Sequence, residues 1–370
     1  MARELESILR EVQPGDLDLS PAGVAEARRH FRDFSTQFVG RTKSGRTIAG
    51  GRSPYLLTGD SAKLAMNATA PETAEHEQSI MYAAPANKAN PAIIENNQIR
   101  VQRGESEIPR VNACSCSTPG CRAACLSGSG QLGLSAGTHA INVRTAFAAA
   151  HPDHFLTTLH GNLSAFQRRA ARANMNPVVR LNGTTDIRFD TLPTADMLFR
   201  DYGRDKIQYN EYTKHNTRGE LSPEDLEEEN QRFARTPNLY AIHSLNEMTT
   251  PGRVRQLASQ GRNFAVPVDI PSDHPVFNEH RTARMPDTTF HFGGDTYDTV
   301  NGYRHDMRFL DPQGGNAVIL PVKSLSGGRE QVTTGSDRFV RSMNMLAHHG
   351  VALGTPVDIR GLGSRASRRR

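Results

Sequence analysis

All four cysteines of this 370-residue chain fall within one twelve-residue stretch. Cys114, Cys116, Cys121 and Cys125 are spaced C-x-C-x4-C-x3-C in the Gly/Ser-rich segment VNACSCSTPGCRAACLSGSGQLG. Thiolates this close suit a tetrahedral zinc ion or an iron–sulfur cluster. Zinc sites usually pair two knuckles across a longer loop, and this compact spacing departs from that pattern. The C-x3-C-x2-C triplet of radical SAM enzymes is also absent, which leaves other clusters open. A single nucleophilic cysteine would leave three thiols unexplained, and His139 is a substitute ligand should one Cys be free. The expectation is a metal loop in which the four cysteines bind Zn²⁺, with an iron–sulfur cluster as the alternative.

Carboxylates form the second concentration of chemistry. In VVRLNGTTDIRFD, Asn182 follows an apolar run and Gly183 frees the backbone for a turn, so Asp186 projects beyond a strand end. Further polar strand ends carry Asn210, Tyr212 and Lys214, then His243, Ser244 and Asn246, then Asp269. From residue 291 the stretch HFGGDTYDTVNGYRHDMRFLDP supplies Asp295, Asp298, His305, Asp306, Arg308 and Asp311. If 306–310 is extended, Asp306 and Arg308 share one face, and the arginine keeps the carboxylate ionised for attack or proton abstraction. A structural ion pair has the same signature. Asp295, Asp298, Asp306 and Asp311 are alternatively ligands for Mg²⁺ in a nuclease.

The elements that must position these groups alternate. PVVRLN, KIQYNEY, NLYAIHSL, NFAVPVDI, TTFHFGG, NAVILPV and VALGTPVDI read as short strands. Helical stretches fall at 194–203, 222–234 and 250–261, and two amphipathic helices at 138–150 and from 152 onward. Such alternation predicts an α/β fold with a (β/α) barrel-like parallel sheet, an open doubly wound sheet being the alternative. Residues 1–95 read as an N-terminal extension of two short helices, the second opened by Ser20-Pro21, followed by irregular chain. Residues 96–360 form the TIM-barrel-like catalytic domain, Cys loop included, and 361–370 a disordered basic tail. No dinucleotide or P-loop glycine motif is present.

Composition narrows the setting. No run is apolar enough to span a membrane, and the polar start MARELESILREVQPGD lacks a signal-peptide core. That predicts a cytoplasmic protein whose thiols stay reduced. The net charge is +5, but four arginines in the last eight residues leave the rest near neutral. A basic tail of this kind fits salt-sensitive attraction to a polyanion such as DNA.

The order C-x-C-x4-C-x3-C, HPDHF, RLNGTTDIRFD and HDMRFLDP resembles the actinobacteriophage family called gene product 88-like, over about residues 100–325. Some such phage proteins are linked to the DpdA group, which is similar to tRNA-guanine transglycosylases. Those are zinc-bearing barrels that exchange guanine for a 7-deazaguanine. The resemblance implies a DNA-modifying transferase in the host cytoplasm, acting on DNA and a 7-deazaguanine base. For that chemistry, position at strand ends, with no residue-level motif shared with the transglycosylases, suits Asp306 as nucleophile with Asp295 as substitute, Asp186 for recognition or proton transfer, and Asn182, Asn210, His243 and Arg308 for substrate binding. In the transglycosylases the zinc cysteines follow the catalytic strands; here they precede them. Two other functions fit the same residues: another metal-dependent nucleic-acid enzyme, or a non-catalytic zinc-containing DNA-binding protein.

Overall fold

The computed structural model describes residues 2–42, 44–48, 55–58, 64, 70–125, 127, 130–199, 206–270, 274–278, 284–321, 340, 343–348 and 351–352. The expected tail 361–370 and most of the expected last strand lie outside them. Where a residue was expected to be helical or extended, the local reason is visible. Four helices open on a Ser/Thr-Pro pair whose hydroxyl accepts a backbone N–H at the first turn. They are α2 (Pro21–Gln37), α4 (Pro119–Ala123), α8 (Pro223–Arg235) and α9 (Pro251–Ser259). Proline has no N–H to leave unbonded there, and Ser or Thr satisfies one of the donors that remain.

The other helices with bounds among the described residues are α1 (Leu5–Leu9), α3 (Ala86–Gln102), α5 (Ser135–Ala150), α6 (Pro152–Arg172), α7 (Ala195–Phe199) and α10 (Pro275–Asn278). Along α6, the amphipathic helix expected from residue 152 onward, the apolar stripe Phe155, Leu159, Leu163 and Phe166 is buried.

The main sheet has eleven strands. In chain order they are β1 (Leu57–Thr58), β2 (His76–Met81), β3 (Asn176–Arg180), β4 (Gln208–Thr213), β5 (Leu239–Ser244) and β6 (Phe264–Val268). Then come β7 (Arg284–Phe292), β8 (Asp295–Asn301), β9 (Ala317–Pro321), β10 (Leu346–His348) and β11 (Val351–Ala352). Their spatial order is β11-β10-β7-β8-β9-β6-β5-β4-β3-β2-β1. Seven consecutive strands, β2 to β6 with β9 and β8, run parallel, and antiparallel strands flank them on both sides.

This is a mixed α/β fold with a large central sheet. The order is linear, and among the described residues no strand pairing closes it into a barrel. Two sequence expectations are corrected. Residues 76–102, part of the stretch expected to be irregular or to lie at its boundary, hold the first parallel strand and a 17-residue helix. Residues 308–310 form a 3-10 turn rather than extended chain, so Asp306 and Arg308 do not share a strand face.

Parallel strands covered on both sides bury both sets of alternate side chains. Val179, Leu181 and Tyr209 pack outward against α5, α6 and α7 in a core with Phe147, Leu159 and Phe199. The even-numbered residues of β4 and β5 face the other way, where Tyr212, Tyr240 and Ile242 pack with Ala265, Val300 and Val318. A return segment, residues 302–316, crosses this inner face before β9 begins. Phe309 meets His76 of β2, Asn210 of β4 bonds to Asp306 and Arg308, and Gln313 meets Tyr240 of β5.

Candidate functional site

The carboxyl ends of all seven parallel strands meet around one cavity of about 220 Å³. In a flat sheet, six strand spacings of about 4.8 Å would spread those ends over some 29 Å. Their convergence on one cavity means that the sheet curls, with the inner face concave. Arg180, Tyr212, Ser244, Pro267 and Pro321 reach the cavity from strands, and Gly302, Tyr303, His305 and Asp306 from the return segment.

The turn after β3 supplies one wall. Asn182 organises it: its side-chain oxygen accepts from the Thr185 hydroxyl (2.8 Å) and Ile187 N (2.9 Å), and its amide donates to Ile187 O (2.8 Å). Gly183 admits no side chain, because a Cβ there would lie 2.4 Å from the Tyr82 ring and 2.8 Å from Met81 O. Asp186 faces the cavity, and its Oδ2 accepts the Lys214 backbone N–H at 2.8 Å.

The floor is a buried ion pair. Arg180 Nη1 donates to Asp306 Oδ2 at 2.8 Å, and the Tyr212 hydroxyl donates to Asp306 Oδ1 at 3.0 Å. The Arg180 guanidinium also lies over the Tyr212 ring, 4.6 Å from its centroid. Behind the floor, Arg308 pairs with Asp311 at 3.1 Å, both fully buried. Burial pushes the Asp311 carboxyl up to about 7, against the pull of Arg308.

The Cys loop forms the roof, and its thiols divide. Cys114, Cys121 and Cys125 line the cavity, whereas Cys116 turns aside, its Sγ 3.1 Å from His215 Nδ1. His215 Nε2 lies 3.1 Å from Asp186 O. Burial raises the Cys114 thiol well above its ordinary value, reinforced by Asp186 and Cys125. Cys121 is raised by burial too, with Lys214 opposing. Burial works against the Lys214 ammonium, yet Cys121 and Asp186 hold its pKa above the usual value. These directions describe neutral thiols that a cation would have to deprotonate. As they stand, no group of three or more His, Cys, Asp or Glu side chains among the described residues has an arrangement that could hold a metal ion.

Several expected site residues lie elsewhere. His243 points to the helix side, where its Nε2 is 3.1 Å from Glu229 Oε1. Arg253 and Arg262 meet the same carboxylate at 2.9 and 3.2 Å. Asp295 begins β8, so it lies at the strand end opposite the cavity, in a surface pair with Arg255 at 2.8 Å. Asn210 and Arg308 are fully buried beneath the floor rather than exposed on it. Asp298 is exposed, and so the four aspartates expected for Mg²⁺ are not gathered together. His139 packs against Phe38 and the backbone of Gly40.

The sequence expectation omitted Arg180, and named Tyr212 and Lys214 only as polar strand ends without a role in the site. The signal for Arg180 was available: an arginine closing the apolar run PVV of a buried strand requires a counter-charge.

A family model described as Gene product 88 matches residues 56–337. The match begins well before residue 100, so the first parallel strand belongs to the shared domain. No curated protein and no solved structure matches the chain. No helix among the described residues is long and apolar enough to cross a membrane.

Proposed function

The chain belongs to the gene product 88 family, a phage family, and we propose that its cavity is the active site of an iron–sulfur enzyme whose centre is held by Cys114, Cys121 and Cys125. The observation that carries this reading is the division of the thiols: three line one cavity at the mouth of a curled parallel sheet, and the fourth is engaged by His215. Three thiolates would hold a cluster and leave it able to take a further ligand. A single zinc ion draws its donors into one tight tetrahedron, at about 2.3 Å for each sulfur. A cluster spreads its cysteines over a wider triangle. Three thiols on one cavity wall, with the fourth turned to His215, are the donor set on which the cluster reading rests, and zinc held by the same three is what the metal analysis must separate from it.

The chain's own residues have defined work in this reading. The Lys214 ammonium, close to the thiols, offsets the negative charge they acquire when metal displaces their protons. Arg180, Asp306 and Tyr212 form a rigid polar floor that orients a ligand, and Asp186 offers a carboxylate at the wall. When bound, the cluster supplies electron transfer or Lewis-acid chemistry at its open position. Iron and sulfide analysis of anaerobically purified protein tests the reading, together with visible absorbance near roughly 400 nm. Cys114→Ala, Cys121→Ala and Cys125→Ala should each abolish the signal, and Cys116→Ala should keep it. Zinc without iron, or no metal, overturns it.

One observation favours the second reading, exchange of guanine for a 7-deazaguanine in DNA: Asp186 and Asp306 both face the same cavity. In that reaction one carboxylate attacks the sugar and the other handles the base and its proton. Labelled guanine incubated with DNA and enzyme tests it. Incorporation should vanish in Asp306→Asn and Asp186→Asn, and no incorporation by wild type rejects it.

A further inference from the structure

We infer that Glu247, in the loop between β5 and α9, is the positioning residue that sets Cys121 against the cavity. The consequence for metal binding rests on the iron–sulfur reading above. Glu247 Oε2 accepts the Thr118 hydroxyl at 2.6 Å, and Oε1 accepts the Gly120 N–H at 2.7 Å. The Thr118 oxygen in turn accepts the Cys121 N–H at 3.2 Å. Thr118 is buried, 1% exposed. One carboxylate, more than 120 residues away in sequence, thus grips both the cap and the first turn of the short helix that bears Cys121.

The other tethers of the loop act elsewhere. Its start is held by the Asp186 N–H on Ala113 O (3.0 Å), by the Cys114 thiol on Thr184 O (3.7 Å) and by the contact of Cys116 Sγ with His215 Nδ1 (3.1 Å). Its far side is held by Lys88 Nζ on Ser127 O. Between these, the turn from Ser117 to Cys121 leans on Glu247. A five-residue helix has too few internal bonds to hold itself in water. A carboxylate accepting from a hydroxyl and a backbone N–H makes charge-assisted bonds, roughly twice as strong as neutral ones. Loss of that grip releases Cys121 and leaves Cys114 where it is.

The test uses the full chain as wild type, Glu247→Ala, Glu247→Gln and Thr118→Val. After anaerobic reconstitution with iron and sulfide, Glu247→Ala should lose affinity by about 10–100-fold, the usual cost of an outer-sphere change. Glu247→Gln, which keeps one acceptor oxygen, should fall between, with an altered visible spectrum at equal loading. In metal-free protein, iodoacetamide should label Cys121 severalfold faster in Glu247→Ala, with the Cys114 rate unchanged, as resolved by peptide mass. Wild type that holds no iron sinks the iron–sulfur reading, and the labelling rates then decide on Glu247 alone. Equal labelling, or a uniform rise at all four cysteines, overturns the inference. If Glu247→Ala does not fold, Glu247→Gln and Thr118→Val carry the same comparison, and unchanged rates in both overturn it.

Discussion

Two buried charge clusters sit on opposite faces of the same sheet, and they are built differently. On the helix side, Glu229 is gripped by Arg253, Arg262 and His243 within 3.2 Å, and it is not among the residues lining the cavity. On the concave side, Asp306 is held by Arg180 and Tyr212 but keeps one flank on the cavity wall. A carboxylate enclosed by two guanidiniums and an imidazole is structural. A carboxylate locked on one side and lining a cavity on the other is, in the proposed reading, the one that would meet a ligand. His243 and Ser244 are neighbours in β5, and strand alternation alone sends one to the first cluster and the other to the cavity.

The largest expected effect comes from the helix side. Glu229→Ala strands two arginines and a histidine without their partner, and removing one member of a buried ion pair costs about 3–5 kcal/mol. Urea unfolding should show that loss, and folded Glu229→Ala should still load iron. Asp306→Asn keeps the shape and the Tyr212 contact but leaves Arg180 without its charge partner. Arg180 still donates to Asn182 O at 3.0 Å, so the cost should be smaller, about 1–3 kcal/mol. A loss equal to that of Glu229→Ala would mean that the concave side is no more open than the helix side.

Acidity should separate the clusters by sign. The arginines and His243 hold Glu229, despite its burial, well below the usual carboxylate value of 4.5. Its stabilising contribution is therefore present above pH 4.5 and is lost as pH falls, and Glu229→Gln should flatten that acid limb. Asp311 behaves oppositely, raised by burial from 3.8 to about 7. Its contribution is present below pH 3.8 and is lost as pH rises through 7. Unfolding free energies at pH 5 and pH 8 should therefore fall with pH more steeply in wild type than in Asp311→Asn. The smallest effect belongs to Asp295→Ala, which breaks only the surface pair with Arg255. It should cost about 0–1 kcal/mol and leave iron content unchanged.

The strands and helices were legible in the sequence for physical reasons. A strand such as FAVPV, buried on both faces, can only be a short apolar run, and Ser/Thr-Pro pairs announce helix starts. That Asp186 and Asp306 reach one cavity was also legible, because polar residues at the ends of parallel strands gather at one edge. Which face each residue takes was not. NLYAIHSL shows no clean alternation, so nothing in it sends His243 outward and Ser244 inward. The loop HDMRFLDP looks extended by pattern, yet Asn210 pins both its Asp306 carbonyl and its Arg308 N–H. That contact links residues 96 and 98 positions apart, and it overrides local preference.

The return segment carries a consequence for how this molecule is made. Arg180 emerges from the ribosome long before Asp306, so the nascent chain holds a strand whose charge has no answer until some 126 further residues have been synthesised. Any product that stops short of that point has an unfinished floor and an Arg180 guanidinium without its Asp306 partner. The fold thus authenticates its own completeness: only a chain translated past the closing segment can pair Arg180 with Asp306 and finish the cavity floor.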